Sequence, residues 1–190
     1  MEFKYDNIAI SGGIGVGTTT LMSNLRPYLE PYGWKLESMG QFIRGIMNEF
    51  VMPTATLVTE EFDREIEKKQ HDIFEQETHR VIESWLAGFM ARDLPKTLKI
   101  LVVCSNEAIR IDRVVNRDKV TVDEAKQNIR VREEENFKKW RQVYGDFNFF
   151  DPNFFDLIVD TYSVGPIETV GKVLDKLGYD NGKIVINKKA

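Results

Sequence analysis

Glycine and threonine residues are concentrated between positions 11 and 20, in a pattern suited to binding a phosphate group. Four glycines fall within six residues and three threonines follow them directly. Glycine leaves no side chain between the backbone and a ligand, and it accepts the positive φ values that let neighbouring N–H groups converge on one anion. The stretch therefore predicts a phosphate-binding loop, with an ordinary glycine-rich turn as the alternative. The residues of this predicted loop are Gly12, Gly13, Ile14, Gly15, Val16, Gly17, Thr18, Thr19 and Thr20.

The spacing of Gly12 and Gly17 matches the frame of a P-loop, in which two glycines are separated by four residues. Thr19 occupies the position at which a Ser or Thr hydroxyl binds Mg²⁺ beside the phosphates of a nucleotide. Thr18, however, stands where that frame has a lysine. We therefore expect the positive charge that phosphoryl transfer requires to come from another part of the chain.

The predicted loop lies between a predicted strand and a predicted helix. Residues 5–10 form an apolar run that favours a strand, and apolar residues recur at helical spacing over 18–30. The N-terminus of such a helix carries unpaired N–H groups and a partial positive charge, so it attracts an anion. These flanking elements favour the phosphate-binding interpretation over the plain turn.

Strand and helix patterns alternate along the rest of the chain. Further strands are predicted at 34–37, 81–84, 99–104 and 156–160, and further helices at 41–50 and 61–80. This alternation predicts an α/β fold, with a five-stranded parallel sheet and helices on both faces. Ligands of such sheets bind at the carboxyl ends of the strands. Because the glycine-rich loop, Ser38, Glu83 and Ser105 all follow predicted strand ends, we expect them to lie at one edge.

Basic and acidic residues alternate between positions 107 and 145. Thr121, with Glu124 three residues later, indicates the capped start of a helix within this segment. One interpretation is a pair of solvated helices linked by ion pairs. The other is a helical lid that brings cations over a phosphate and excludes water. We prefer the lid, because Thr18 leaves the phosphates without the usual lysine.

Composition limits the classes to which the protein can belong. The chain has 190 residues, enough for one well-packed domain, and we expect a single domain over 1–190. A net charge of -4 argues against a general nucleic-acid binder. Cys104 is the sole cysteine, which excludes a disulfide within the chain and suits a reducing compartment. Without a long apolar run or a signal-peptide pattern, we expect a cytoplasmic monomer that binds small molecules and no membrane.

Seven segments, taken in order, resemble those of the cytidylate kinases, in the compact form found in archaea and some bacteria. They are residues 11–20, 38–44, 63–70, 81–88, 131–135, 144–145 and 155–161, and the resemblance extends over about residues 5–178. Compact members of that family often carry threonine at the position of Thr18. The resemblance implies a P-loop nucleoside monophosphate kinase that transfers the γ-phosphoryl group of ATP to CMP or dCMP with Mg²⁺.

The same resemblance implies a role for each candidate site residue. The glycine-rich loop would surround the ATP phosphates, with Thr19 on the metal and Glu83 holding it through water. Ser38 and Arg44 would hold the acceptor nucleotide, within an acceptor-binding segment at residues 38–80. The lid at residues 107–145 would supply the cations near the transferred phosphoryl group, namely Arg113, Arg117, Arg132 and Lys139. The acceptor phosphate itself attacks, so no protein nucleophile is required.

Three other positions bear on the acceptor. Asp63 and Gln70 have side chains able to pair with the amino group and ring nitrogens of cytosine, although both also suit a solvated helix face. Trp85 stands where the family usually has an arginine that serves the acceptor, and tryptophan either stacks on a base or packs under the lid. The alternatives are therefore a P-loop kinase for another acceptor, such as a different nucleoside monophosphate or dephospho-coenzyme A, and a non-catalytic nucleotide-binding protein.

Overall fold

Five parallel strands form the sheet at the centre of the protein. The computed structural model describes residues 2–40 and 60–179. The strands are β1 (Asn7–Ser11), β2 (Lys35–Ser38), β3 (Arg80–Glu83), β4 (Thr97–Val103) and β5 (Leu157–Asp160). They pair in the order β2-β3-β1-β4-β5, and every pairing is parallel. The predicted five-stranded parallel sheet is confirmed.

Helices cover both faces of this sheet, as predicted. In the described residues they are α1 (Thr18–Leu29), α2 (Glu60–Gln76), α3 (Ala87–Met90), α4 (Glu107–Asp118), α5 (Val122–Tyr144) and α6 (Pro166–Leu177). Helices α1 and α6 pack on one face against Ile8 and Ile10, while α2 and α3 pack on the other against Ala9 and Ile82. All five residues of β1 are buried, as expected of a strand covered on both faces. In the parts of the chain described, no helix combines the length and apolar character needed to span a membrane.

Helix α2 ends four residues before the predicted end at residue 80. The side-chain amide of Asn7 donates to the carbonyls of Phe74 (3.0 Å) and Glu77 (2.8 Å), which are left open at the end of the helix. His79 then takes a left-handed backbone conformation, with φ 60°, and Arg80 begins β3. The prediction that the helix includes Arg80 is wrong, because Asn7 of β1 caps the last carbonyls of the helix.

The remaining predicted strands lie within two residues of the observed ones. The predicted helix at 41–50, which carries Arg44, lies outside the described residues.

The charged segment at 107–145 forms two helices, α4 and α5. The capping box predicted at the start of α5 is present, with the Thr121 hydroxyl accepting from the Glu124 N–H and the Glu124 carboxylate accepting from the Thr121 N–H. An aromatic cluster holds the end of α5 against α3. In it Phe149 is fully buried between Phe89 and Trp140. Phe149 therefore belongs to the core that joins α5 to α3, while Phe147 is exposed.

Candidate active site

A cavity of about 890 Å³ opens at the carboxyl ends of the strands. It is bounded by the loop after β1, by the ends of β2 and β3, by the segment after β5, and by helices α1, α2, α4, α5 and α6. This is the edge at which a parallel sheet binds its ligands. The volume lies in the range of cofactor and substrate pockets.

The glycine-rich loop forms one wall of this cavity. Eight of its nine predicted residues line the cavity, while the side chain of Val16 is buried in the hydrophobic core. Gly17 is the N-cap of α1 and has a φ of 102°, a conformation that favours glycine. The first turn of α1 carries no acidic residue of its own, and its unpaired N–H groups carry a partial positive charge. The wall is suited to an anion.

Glu83, at the end of β3, joins this loop to the end of β2. Its Oε1 accepts a hydrogen bond from the Thr18 hydroxyl (2.6 Å) and lies 3.5 Å from the Thr19 hydroxyl. Its Oε2 accepts from the Ser38 hydroxyl at 2.5 Å. Three hydroxyl groups from two segments thus converge on one carboxylate. Thr18, at the position of the P-loop lysine, directs its hydroxyl at Glu83.

These oxygen atoms fit a magnesium site. Mg²⁺ prefers carboxylate, hydroxyl and water oxygens, and it is bound in nucleotide sites through one or two carboxylates. Glu83 and Thr19 both line the cavity next to the anion-binding wall. The residues implied for the metal are therefore brought together.

Arg113 and Thr161 hold the loop from its other side. The Arg113 guanidinium donates to the carbonyls of Gly15 (3.2 Å) and Val16 (3.3 Å), and also to the hydroxyl (2.8 Å) and carbonyl (3.1 Å) of Thr161. The Thr161 hydroxyl in turn donates to the Val16 carbonyl at 2.7 Å. Helix α4 and the end of β5 thus hold the Gly15 and Val16 carbonyls of the loop by hydrogen bonds.

A second arginine ties α4 and α5, the two helices of the predicted lid, to the loop. The Nε of Arg110 on α4 donates to the Ile14 carbonyl at 2.5 Å, and its guanidinium forms an ion pair with Glu133 of α5. The Glu133 carboxylate lies so close to Gly13 that a Cβ there would be 2.8 Å from Oε1. Helices α4 and α5 are therefore in direct contact with the glycine-rich loop.

The four lid cations predicted from the resemblance all line the cavity, namely Arg113, Arg117, Arg132 and Lys139. Arg117 is exposed and makes a two-pronged ion pair with Asp118, at 2.7 and 2.8 Å. Ser38 and Gln70 line the same cavity. Arg44 and the side chain of Asp63 lie outside the part of the chain that is described.

Helix α2 closes the end of the cavity beyond Glu83. Gln70 is buried, with 2% of its surface exposed, and its Oε1 accepts from the Ser84 hydroxyl at 2.6 Å. The solvated helix face considered for Gln70 is therefore wrong, because the tertiary packing of α2 turns this residue inward. Glu67, one turn away, is 7% exposed and also lines the cavity.

Trp85 packs under the lid, as one of its two interpretations predicts. Its ring makes an edge contact with Trp140 of α5, with centroids 5.5 Å apart, and it packs against the two hydrophobic clusters that contain Ile14 and Leu86. One edge of Trp85 faces the cavity. Because arginine is absent here, any cation for an acceptor phosphate must come from a different element.

Asp160, at the end of β5, fastens β4 to β5 at the edge of the site. Its carboxylate accepts from the hydroxyl (2.6 Å) and N–H (3.0 Å) of Ser105 and from the N–H of Tyr162 (3.1 Å). The hydrogen bonds from Ser105 lower the pKa of Asp160 from 3.8 to about 2.

We expect Asp160→Asn to weaken the acid sensitivity of the fold. A carboxylate with a lowered pKa in the folded state adds stability above its unfolded pKa, and this contribution is lost as pH falls from 3.8 towards about 2. The measurement is thermal unfolding of both proteins from pH 6 to pH 2, with the exposed Asp146→Asn as control. Parallel Tm curves for wild type and Asp160→Asn would contradict the assignment.

Several residues of this site were not selected from the sequence. They are Arg110, Glu133, Thr161 and Glu67. Thr161 directly follows the end of a predicted strand, and a residue at such a position is expected at the ligand-binding edge of the sheet. The other three lie on charged helices whose buried faces the sequence does not distinguish.

Comparison with known proteins gives consistent matches. A model of the cytidylate kinase-like family matches residues 33–163. The chain is similar to the cytidylate kinase of Thermococcus sibiricus, with 33% identity over 84% of this chain and 81% of the relative. It is similar to the cytidylate kinase of Pyrococcus furiosus, with 35% identity over 84% of this chain and 81% of the relative.

Solved structures share the fold at low sequence identity. A gluconokinase from Sinorhizobium meliloti matches with a TM-score of 0.58 and 12% identity, covering 93% of this chain and 94% of the other. A shikimate kinase from Acinetobacter baumannii matches with a TM-score of 0.53 and 13% identity, covering 90% and 92%. These structures support a P-loop kinase fold.

Proposed function

The chain belongs to the cytidylate kinase-like family, and we propose that it transfers the γ-phosphoryl group of ATP to CMP or dCMP with Mg²⁺ as cofactor. The observation that supports this proposal best is the single cavity that extends from the glycine-rich loop, past Glu83, to α2. Such a cavity has room for a donor on the loop side and an acceptor on the α2 side.

On the donor side, the N–H groups of the loop and of the α1 N-terminus would bind the ATP phosphates. Thr19 and Glu83 would hold Mg²⁺, which neutralises phosphate charge when bound. The hydroxyls of Thr18 and Ser38 keep the Glu83 carboxylate in place.

On the acceptor side, a phosphate oxygen of the nucleoside monophosphate attacks the γ-phosphorus of ATP. The new P–O bond forms while the bond from the γ-phosphorus to the bridging oxygen breaks, and ADP leaves. The cations near the transferred group would neutralise its charge, and they are Arg113, Arg117, Arg132 and Lys139. Ser38 and Arg44 would position the acceptor.

The organisation of the chain, its oligomeric state and its location in the cell remain predictions. They are a single domain with an acceptor-binding segment at 38–80 and a lid at 107–145, and a cytoplasmic monomer whose ligands are nucleotides and not nucleic acids.

One observation favours a second candidate function. Trp85 gives the cavity an aromatic edge beside the lid, where the family usually supplies a cation. The chain would then be a P-loop kinase for an acceptor that needs fewer cations or a larger apolar contact.

The test is release of ADP from Mg·ATP in the presence of CMP, dCMP, UMP, AMP, GMP, dTMP or dephospho-coenzyme A. We expect CMP or dCMP to give a kcat/KM at least about tenfold above every other acceptor. Turnover with another acceptor would show that the substrate is not CMP or dCMP, while phosphoryl transfer from ATP would still be the reaction. ATP binding without acceptor-dependent ADP would indicate a non-catalytic nucleotide-binding protein.

A further inference from the structure

The α2 end of the cavity combines two buried polar side chains with apolar surface. Glu67 and Gln70 are separated by one helical turn and are 7% and 2% exposed. Met39, Ile66 and Leu86 line the cavity at the same end. Apolar walls around a few fixed polar groups are the usual surroundings of a planar base.

This end is separated from the region that suits the donor. The opposite end is bounded by α1, α4 and the segment after β5, and it includes Asn24, Asn116 and Thr169. The glycine-rich loop and Glu83 lie between the two ends. A donor with its phosphates on the loop leaves the α2 end to the base of the acceptor.

Gln70 is held in one orientation. The Ser84 hydroxyl donates to its Oε1 at 2.6 Å, and its Nε2 donates to the Ile66 carbonyl at 3.5 Å, so one N–H of the amide remains for a ligand. That nitrogen is a donor, whereas the Glu67 carboxylate has only acceptor oxygens. The α2 wall therefore offers a donor and an acceptor about one turn apart.

Cytosine and uracil differ at this kind of wall. Cytosine presents an exocyclic amino group, which donates, beside a ring nitrogen that accepts. Uracil has the reverse pattern, with a carbonyl oxygen beside a ring N–H. A carboxylate accepts from the amino group and repels the carbonyl oxygen.

We propose that Glu67 recognises the exocyclic amino group of the acceptor base and so determines the preference for cytosine over uracil. This inference depends on the proposed function. The discrimination arises because the Glu67 carboxylate can accept a hydrogen bond from the amino group of cytosine, whereas the carbonyl oxygen of uracil at that position cannot donate one.

The experiment compares wild type with Glu67→Gln, which keeps the side-chain shape and replaces one acceptor oxygen with a donor. Glu65→Gln is the matched control, because Glu65 lies on the exposed face of the same helix. For each protein, kcat/KM with CMP and UMP is measured under Mg·ATP, and the affinities for both are measured by calorimetry without ATP.

We expect the CMP to UMP ratio of kcat/KM to fall by about tenfold to a hundredfold in Glu67→Gln, the usual effect of losing one charge-assisted hydrogen bond. The same ratio should stay unchanged in Glu65→Gln, and the KM for ATP should stay unchanged in both variants. Equal losses for CMP and UMP, or no change, would overturn the inference.

A ligand variant provides a test that does not depend on the folding of Glu67→Gln. The monophosphate of 2-pyrimidinone riboside lacks the amino group of CMP, and wild type should bind it about tenfold or more weakly than CMP. In Glu67→Gln this difference should nearly vanish, because the amino group has lost its partner. Equal affinity of wild type for both ligands would overturn the inference.

The two proposals fail in different ways. A wild type that neither binds nor phosphorylates CMP contradicts the proposed function, and the inference falls with it. Suppose instead that the wild type uses CMP, but that removing the amino group of the ligand weakens binding equally in wild type and in Glu67→Gln. That result would contradict only the role of Glu67.

Discussion

Glu83→Gln is expected to lower kcat/KM for the complete reaction by about a hundredfold, at the upper end of the effects seen when a group that orients metal ligands is changed. The wild-type carboxylate accepts two short hydrogen bonds, from Thr18 (2.6 Å) and Ser38 (2.5 Å). Glutamine keeps one acceptor oxygen, but its NH₂ group cannot accept from the second hydroxyl. The substitution also removes the negative charge proposed to hold Mg²⁺.

The loss should depend on magnesium. We expect the Mg²⁺ concentration for half-maximal activity to rise in Glu83→Gln, with the far-ultraviolet circular dichroism spectrum unchanged. Glu168→Gln removes an exposed carboxylate from α6 and serves as control. A Glu83→Gln enzyme with activity within about twofold of wild type would remove Glu83 from the proposed mechanism, since effects of that size are typical of surface substitutions.

The fold and the donor side of the site could be predicted because their signals are local. Strand β1, the glycines and the start of α1 are consecutive in the sequence. The side chains after β2 and β3 are placed by the rule that parallel strands end at one edge. Ser38, Glu83 and the loop therefore meet as predicted, although the sequence did not show that Glu83 binds Thr18 and Ser38 together.

Contacts between distant residues could not be predicted. The Asn7 side chain caps α2 by donating hydrogen bonds to the carbonyls of Phe74 and Glu77, which lie 67 and 70 residues away in the sequence. Arg110 contacts Ile14, 96 residues away, and its charge looked like one of many on a solvated helix. Glu67 lies on a helix with many charges, and only packing on the sheet reveals that it is buried.

Trp85 illustrates the same limit at a single position. The sequence allowed a ring that stacks on a base or one that packs under the lid. In the structure its ring packs on Trp140 while one edge faces the cavity. Trp85 thus belongs to the core that holds α5, and the cations around the cavity come from other positions, such as Arg113 and Lys139.

Gly12→Ala is expected to destabilise the protein by about 1 to 3 kcal/mol, the usual cost of overpacking a close-packed site. A Cβ at this position would lie 2.7 Å from the Val102 carbonyl oxygen and equally close to Cγ2 of Thr18 and Val16. The carbonyl belongs to β4 and cannot move without disturbing the sheet, so the loop itself must shift. We expect Tm to fall by roughly 3 to 10 °C for a chain of this size.

The same shift should impair ATP binding more than it impairs folding. The loop N–H groups bind phosphate only when they converge, so a displaced Gly12 should raise the Kd for Mg·ATP by about tenfold or more, the equivalent of one lost charge-assisted hydrogen bond. Gly171→Ala is the matched control, because a Cβ there meets nothing within 4 Å and the glycine lies inside helix α6. The control should bind ATP normally and be slightly more stable. If Gly12→Ala matched wild type in both Tm and Kd, the loop would not be packed as the structure has it, and the phosphate-binding wall would have to lie elsewhere.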